Sequence, residues 1–544
     1  FRRHAPEYIR NVWWFLYRHI HPLQEHRMST QNLPLTNSSR RSKLAFAALA
    51  MALAGVITPA SAANFQYRHP VYGLTAPVSI GSQAQQAAAE IVVALTGGPS
   101  LPAGEVNWPY SYDLKQLLSV TGDNNWSTTN VSWNLPSGSL PAGLSLGTDG
   151  VISGVPTTKD SVGASFQVKA SYKGKDGQQV YTIVVNGQVL RVTQVAAGFG
   201  HTCALTTTGG VKCWGRNSEG QLGNNSAVQQ LAPVNVVGLS SGVINLAAGM
   251  YHTCAVTSTN GVKCWGGNGG GQLGNGNTTN SYVPLDVTGL ASGIASVAGG
   301  ANFSCALTTG SGVKCWGGNT YGQLGNNSTA AGPSPVDVSN LSSGVTSLAL
   351  GNYHACAVVS GGAKCWGYNY AGQVGNNSTT TAKVPADVSG LTSGVLSVTA
   401  GAAHACAVTS VGGVKCWGQG TAGQLGNNGL ANSLVPVNVS NLSAGVGSVG
   451  AGGFHTCAVL SSGAAKCWGN NASGQLGNNG TTTSKVPVDV VGLTSDVSFI
   501  VGGANGSHTC AATASGLKCW GNNADGELGN NSSTSANVPV DVTP

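Results

Sequence analysis

Six histidines, His201, His252, His354, His404, His455 and His508, each stand two residues before a cysteine. Nine or ten residues further on, every one of those cysteines is followed by a second, inside Lys-Cys-Trp-Gly or its equivalent. One imidazole and two thiolates would supply three of the four ligands of a tetrahedral zinc site. Two cysteines alone can instead close a disulfide. The disulfide is favoured, because the third copy of the pattern carries Phe303 in the histidine's place yet keeps both cysteines, and no fourth ligand accompanies the other copies. No metal and no cofactor is expected.

The elements that would hold the cysteines follow from the fourth copy. Opposing Cys356 and Cys365 sets Ala357 against Lys364 and Val358 against Ala363, and leaves Ser360-Gly361 as a two-residue hairpin loop. The first copy is one residue longer, and Thr207-Thr208-Gly209 becomes a three-residue loop ending in glycine. Directly opposed residues of an antiparallel pair lie within disulfide reach. The expected bridges are Cys203–Cys213, Cys254–Cys264, Cys305–Cys315, Cys356–Cys365, Cys406–Cys416, Cys457–Cys467 and Cys510–Cys519, which use all fourteen cysteines.

Each hairpin belongs to a longer unit that recurs seven times with a period of about 51 residues. Val243-Ile244-Asn245-Leu246-Ala247-Ala248-Gly249 narrows to small residues, as an inner strand beside a central channel would. Pro284-Leu285-Asp286-Val287 reads as a Pro-led outer edge strand. Four strands repeated seven times give an all-β chain with a seven-bladed β-propeller over 189–544, in which neighbouring blades cover each other's faces.

At Gly-x-x-His, Cys-Trp-Gly-x-Asn and Gly-Gln-Leu-Gly the sequence resembles the regulator-of-chromosome-condensation family of propeller repeats. That resemblance implies a seven-bladed propeller used as a binding platform. It does not carry over the founding member's nuclear nucleotide-exchange role, because the N-terminus points to another compartment. Arg40, Arg41 and Lys43, the apolar run Leu44–Ile57 and Ala60-Ser61-Ala62 read as the three parts of a secretory signal within 28–62, starting at Met28. Residues 1–27 are read as an upstream or non-native segment. A membrane anchor on Trp13-Trp14-Phe15-Leu16 is the weaker reading, since Arg10, Arg18 and His19 interrupt it. No membrane span is expected in the mature chain, and the expected location is secreted, periplasmic or cell-surface, where paired cysteines persist.

Of the formal net charge of +7, all but one unit resides in residues 1–62. Residues 1–62 hold eight Lys and Arg against two Asp and Glu, which leaves 17 against 16 for the remainder. From His201 onward there are ten basic and nine acidic residues with no cluster of one sign, so nucleic acid is not an expected partner.

Residues 63–107 read as a leader or linker, and 108–188 as a small β-sandwich. Its signals are Pro109-Tyr110-Ser111-Tyr112, Val131-Ser132-Trp133-Asn134-Leu135, and two hairpins with Asp149-Gly150 and Asp176-Gly177 at their turns. Leu140–Leu146 followed by Gly150–Pro156 resembles the immunoglobulin-like modules of bacterial surface proteins.

Other recurring residues have structural readings. The seven tryptophans from Trp214 to Trp520 fit inter-blade core better than sugar platforms. Lys212 and its equivalents fit a solvated face better than a ligand ring. The Asn-Asn pairs fit turns better than calcium, because few carboxylates accompany them. Asn-x-Ser/Thr sites such as Asn224-Asn225-Ser226 match a glycosylation acceptor, but arise by chance in so Asn-rich a chain. No catalytic residue is assigned, since the chain has no nucleophile elbow, Walker loop, zincin motif or paired carboxylates.

What differs between copies is free to serve a partner. Phe199, Tyr251, Tyr353 and Phe454 precede the histidines by one or two residues, and Tyr321, Tyr368 and Tyr370 follow Trp-Gly in the next loop. Aromatic residues gathered at one end of a rigid ring suit protein binding. The expected protein is a monomer that holds a protein partner on the cell surface or outside the cell, in adhesin- or inhibitor-like fashion. The alternative is a carbohydrate-binding protein or polysaccharide-active enzyme on the same scaffold.

Overall fold

The second strand of each propeller unit is buried along nearly its whole length, which dictates its composition. His252–Thr257 buries His, Thr, Cys, Ala and Val in succession. A strand covered on both faces cannot alternate apolar with polar, so it uses small side chains and hydrogen-bonded polar ones. The computed structural model describes residues 89–544, within one compact unit, Gln86–Pro544. The expected signal, the upstream segment and residues 63–88 of the expected leader lie outside the described residues.

The first blade comprises Val192–Ala197, His201–Thr206, Val211–Gly215 and Gln230–Asn235, joined antiparallel in chain order. Six more four-stranded sheets repeat it, ending with Val497–Gly502, His508–Thr513, Gly516–Gly521 and Ala536–Asp541. The blade number is seven. Every blade is built from consecutive strands, so no strand is exchanged where the last blade meets the first.

The register of the central hairpin is the one the cysteine spacing implies. Cys356 opposes Cys365, Ala357 opposes Lys364 and Val358 opposes Ala363. Ser360 at φ 49° and Gly361 at φ 81° make the turn, the left-handed pair that a two-residue hairpin needs. The outer strand starts earlier than its proline suggests. Ser281–Asp286 holds Pro284 at its fourth position, tolerable because an edge strand has no ladder bond to lose on its outer side.

The tryptophans are inter-blade core. Trp265 of the second blade is fully buried against Leu205, Val211, Leu222 and Val236 of the first. The glycine after each tryptophan is obligatory: Gly215 has φ 96°, and a Cβ there would lie 2.5 Å from the Gly200 carbonyl oxygen.

The N-terminal module is a small all-β fold with two short 3-10 turns. A four-stranded sheet, Gly104–Glu105, Lys175–Asn186, Asp160–Tyr172 and Ser132–Gly138, lies with a three-stranded sheet, Tyr110–Asp113, Val151–Gly154 and Leu144–Leu146. The core contains Phe166, Val168, Tyr181, Ile183 and Ile152. Two expectations need correction. The module reaches back into the expected linker: Val92–Leu95 pairs with Leu118–Thr121, and Val93, Leu95 and Leu101 join the core. The long hairpin turns at Lys173-Gly174, because these residues, at φ 48° and 77°, take the left-handed conformation. Asp176 and Gly177 instead sit in the ladder opposite Ser171 and Ala170. The turn containing Asp149-Gly150 lies where the sequence places it.

Candidate functional site

All fourteen cysteines are bonded in the expected pairs, with Cα atoms 4.0–4.1 Å apart, and none is free. Both sulfurs of every pair are thereby removed from metal binding. The histidines face the next blade. His201 Nε2 lies 3.0 Å from Thr253 Oγ1, His252 Nε2 2.8 Å from Ser304 Oγ, and His404 Nε2 2.9 Å from Thr456 Oγ1. His455 meets Thr509 at 2.8 Å, and His508 meets Thr202 of the first blade at 2.9 Å.

The hydroxyl settles the tautomer. Thr253 donates its single proton to the Gln221 carbonyl at 3.0 Å, so it must accept from His201 Nε2–H. That carbonyl also accepts the Trp265 indole at 2.9 Å. Burial holds these imidazoles neutral, with pKa values lowered to about 3 or about 4. They are structural groups.

Six of the recurring lysines, from Lys263 to Lys518, bond across the outer strands. Lys263 reaches Asp286 at 2.6 Å and Lys314 reaches Asp337 at 2.7 Å. The asparagine after Trp-Gly fixes the following loop: Asn217 donates to Asn224 Oδ1 and to the Ser226 and Val228 carbonyls, and accepts from the Leu222 amide. Asn225 takes φ 59° beside it, so the Asn-Asn pair serves as turn chemistry. Among the described residues, no group of three or more His, Cys, Asp or Glu is placed to hold a metal ion.

The aromatic loop residues form two groups. Phe199 and Tyr251 meet edge-on at 5.7 Å, and the Arg216 guanidinium lies 5.2 Å from the Tyr251 ring centre. In the third and fourth blades, Tyr321 packs on Tyr353 at 5.3 Å and on Tyr368 at 4.5 Å, and Tyr368 lies nearly parallel to Tyr370 at 6.4 Å. Burial and the neighbouring hydroxyls of Tyr321 and Tyr370 push the Tyr368 phenol up. Tyr370 is 74% exposed. Phe454, 38% exposed, joins neither group.

Sequence reasoning missed the charges beside the first group. Arg216 and Asp525 both flank Gly200, and Glu219 accepts from Asn280 at 2.6 Å. The comparison of copies could have found Arg216: glycine, tyrosine, glutamine or asparagine occupies its position elsewhere.

A family model for the regulator of chromosome condensation (RCC1) repeat matches six stretches: 208–256, 262–307, 313–358, 361–408, 412–459 and 463–512. The chain belongs to the RCC1-repeat family. A second RCC1-repeat model matches 192–221, 243–272, 294–323, 395–424 and 448–475. Residues 91–186 match the model described as "Putative Ig domain". The ultraviolet-B receptor UVR8 of Arabidopsis thaliana is 30% identical over 357 residues, covering 64% of this chain and 81% of that protein. The probable E3 ubiquitin-protein ligase HERC4 of Rattus norvegicus is 36% identical over 174 residues, 31% of this chain, which spans only 16% of that relative. Among solved structures, human WBSCR16 aligns with TM-score 0.55 at 24% identity, covering 61% of this chain and 93% of the other. Yeast RCC1 (Prp20) aligns with TM-score 0.55 at 20% identity, covering 65% and 85%. Both structural likenesses bear on the fold.

Proposed function

We propose that this RCC1-repeat chain is an exported binding protein that holds a protein partner on the loop end of its propeller. One observation carries the reading: Tyr321, Tyr353, Tyr368 and Tyr370 form one network at positions the blade does not require. The other copies place residues such as Ala371, Ala422 and Ser473 at the Tyr321 position and fold into the same four strands. Rigid amphipathic rings at the end of a braced scaffold give contact area at little entropic cost. Protein partners are known for two solved neighbours: yeast RCC1 (Prp20) is bound to Kap60 in one, and Prp20p of Saccharomyces cerevisiae binds Gsp1p and histones in the other.

Export rests on the signal-like residues 28–62 and on cysteine usage, since seven buried bridges suit an oxidising compartment. The carbohydrate reading draws on a separate feature: the loops carrying the tyrosine quartet contain no charged side chain, as a neutral glycan would favour.

The test immobilises residues 63–544 as wild type and as Y321A/Y368A/Y370A, and challenges both with envelope or host extracts and with a glycan array. A defined protein retained by the wild type and lost by the variant supports the proposal. Retention of a sugar alone moves the assignment to lectin. Equal retention of the protein by both forms removes the tyrosine face from the site.

A further inference from the structure

Six of the seven joints between blades are crossed by the chain, which runs from each outer strand into the next inner strand. The joint between the seventh and first blades has no such crossing. Its direct bonds copy the others: His508 to Thr202, and the Trp214 indole and Thr202 hydroxyl to the Glu527 carbonyl at 2.8 and 2.9 Å. Ala504 N–H adds a bond to the Ala197 carbonyl at 2.8 Å. Entropy penalises this joint more than the rest, because opening it frees both chain ends of the ring.

The segment that enters the joint comes from the N-terminal module. Leu190, 6% exposed, is part of a buried cluster with Val195 and Trp214 of the first blade and Leu517, Leu528 and Val542 of the seventh. Val189 packs so closely on the seventh blade's hairpin that a Cβ on Gly516 would come within 2.9 Å of it. Glu105 of the module fastens this segment from outside. Its carboxylate takes two bonds from the Arg191 guanidinium, at 2.7 and 2.6 Å, and one from the Val189 amide at 2.9 Å. Trp108 covers the guanidinium at 4.0 Å, a bidentate and partly desolvated arrangement that orients as well as attracts.

We propose that the immunoglobulin-like module is the clasp of the propeller, with Glu105 pinning residues 189–191 into the blade 7–blade 1 joint in place of the missing chain crossing. Glu105 and Arg191 are positioning residues. The module therefore rigidifies one joint of the seven, independently of any partner on the loop end.

Hydrogen exchange on the full chain tests this. In E105A, amides of 192–206 and 508–521 should exchange about tenfold faster than in the wild type, while 345–387 of the fourth blade keeps its rate. K175A, which breaks the exposed Lys175–Glu90 pair elsewhere on the module, should leave every blade unchanged. Peptides spanning Phe166–Tyr181 report whether the module stays folded. If E105A unfolds the module, E105Q, which keeps the side chain's shape, should show the same selective loosening. Wild-type rates in the first and seventh blades, or an equal rise in all seven, would overturn the clasp.

Discussion

His354 has no hydroxyl to bond because Ala405 stands where the other five histidine-bearing joints place Thr202, Thr253, Ser304, Thr456 or Thr509. The His404 backbone lies beside the ring, yet neither ring nitrogen of His354 has a partner at hydrogen-bonding geometry. The Gln373 carbonyl likewise receives only the Trp417 indole, at 3.0 Å.

Restoring the hydroxyl should stabilise the ring. A405T is expected to raise stability by about 1 kcal/mol, read as a shifted denaturant midpoint at constant slope, because it satisfies a buried donor and acceptor together. T253A should lower it by about 1–3 kcal/mol, since it strands His201 in the same way. If A405T is neutral, the hydroxyls are not what orders these joints.

Acid should weaken the propeller from about pH 6.5 downward. Burial lowers the His201, His404 and His455 pKa values to about 3 and those of His252, His354 and His508 to about 4. The unfolded chain titrates near 6.5, so below that pH it binds protons that the folded state refuses. Stability therefore falls as pH drops from about 6.5 toward 4, by up to about 1.4 kcal/mol per pH unit for each histidine. Denaturant midpoints between pH 4 and 7 measure the slope, and H404Q should reduce it by about one proton. A flat profile across that window would contradict the neutral, buried assignment.

Glu527 should act in the opposite direction. It alone replaces glutamine in the seven Gly-Gln-Leu-Gly turns, and burial pushes its carboxyl up to about 7. Its folded pKa lies above the unfolded value, so its contribution is complete below about 4.5 and is lost as pH rises through about 7. E527Q should be more stable than wild type at pH 8, by about 1–3 kcal/mol, with the gap closing by pH 5. The sixth blade already shows the amide arrangement, with Gln475 Nε2 donating to Asn470 Oδ1 at 3.2 Å. Equal stabilities at pH 8 would mean that Asn522 and the Asp525 amide compensate the charge fully.

The bridges should withstand reductant while the protein is folded. Each pair is at most 1% exposed, so thiol labelling should stay silent in reductant until denaturant is added. Replacing Cys356 and Cys365 together by serine should cost on the order of 2–3 kcal/mol, through the loop freed in the unfolded state. Labelling of native protein within minutes would show that the blades open locally.

The repeat made the propeller legible, because one period fixed strand number, hairpin register and disulfide partners together. Cys356 and Cys365 could be opposed on paper because only one loop length between them makes a turn. The module was less legible. Its hairpin reads in sequence as turning at Asp176-Gly177, whereas the chain turns three residues earlier at Lys173-Gly174, and the pleat then decides which residues face Phe166 and Tyr181. The site was legible only as positions: variation between copies marked Tyr321 and Tyr368, but their packing depends on how neighbouring blades bring two loops together. Glu105 gave no signal, since nothing in the sequence relates it to Arg191, 86 residues away.

Every blade meets its neighbours through unlike surfaces. Between the first and second blades, one flank offers the Gln221 carbonyl and the His201 imidazole N–H, and the other the Trp265 indole and the Thr253 hydroxyl. Such a head-to-tail contact has no self-complementary form, so its two flanks are consumed only when the circle closes. A chain with one repeat deleted would keep an unused flank of each kind. Such a chain should pair end to end with its own copies, as a larger size in solution than the seven-bladed chain would show.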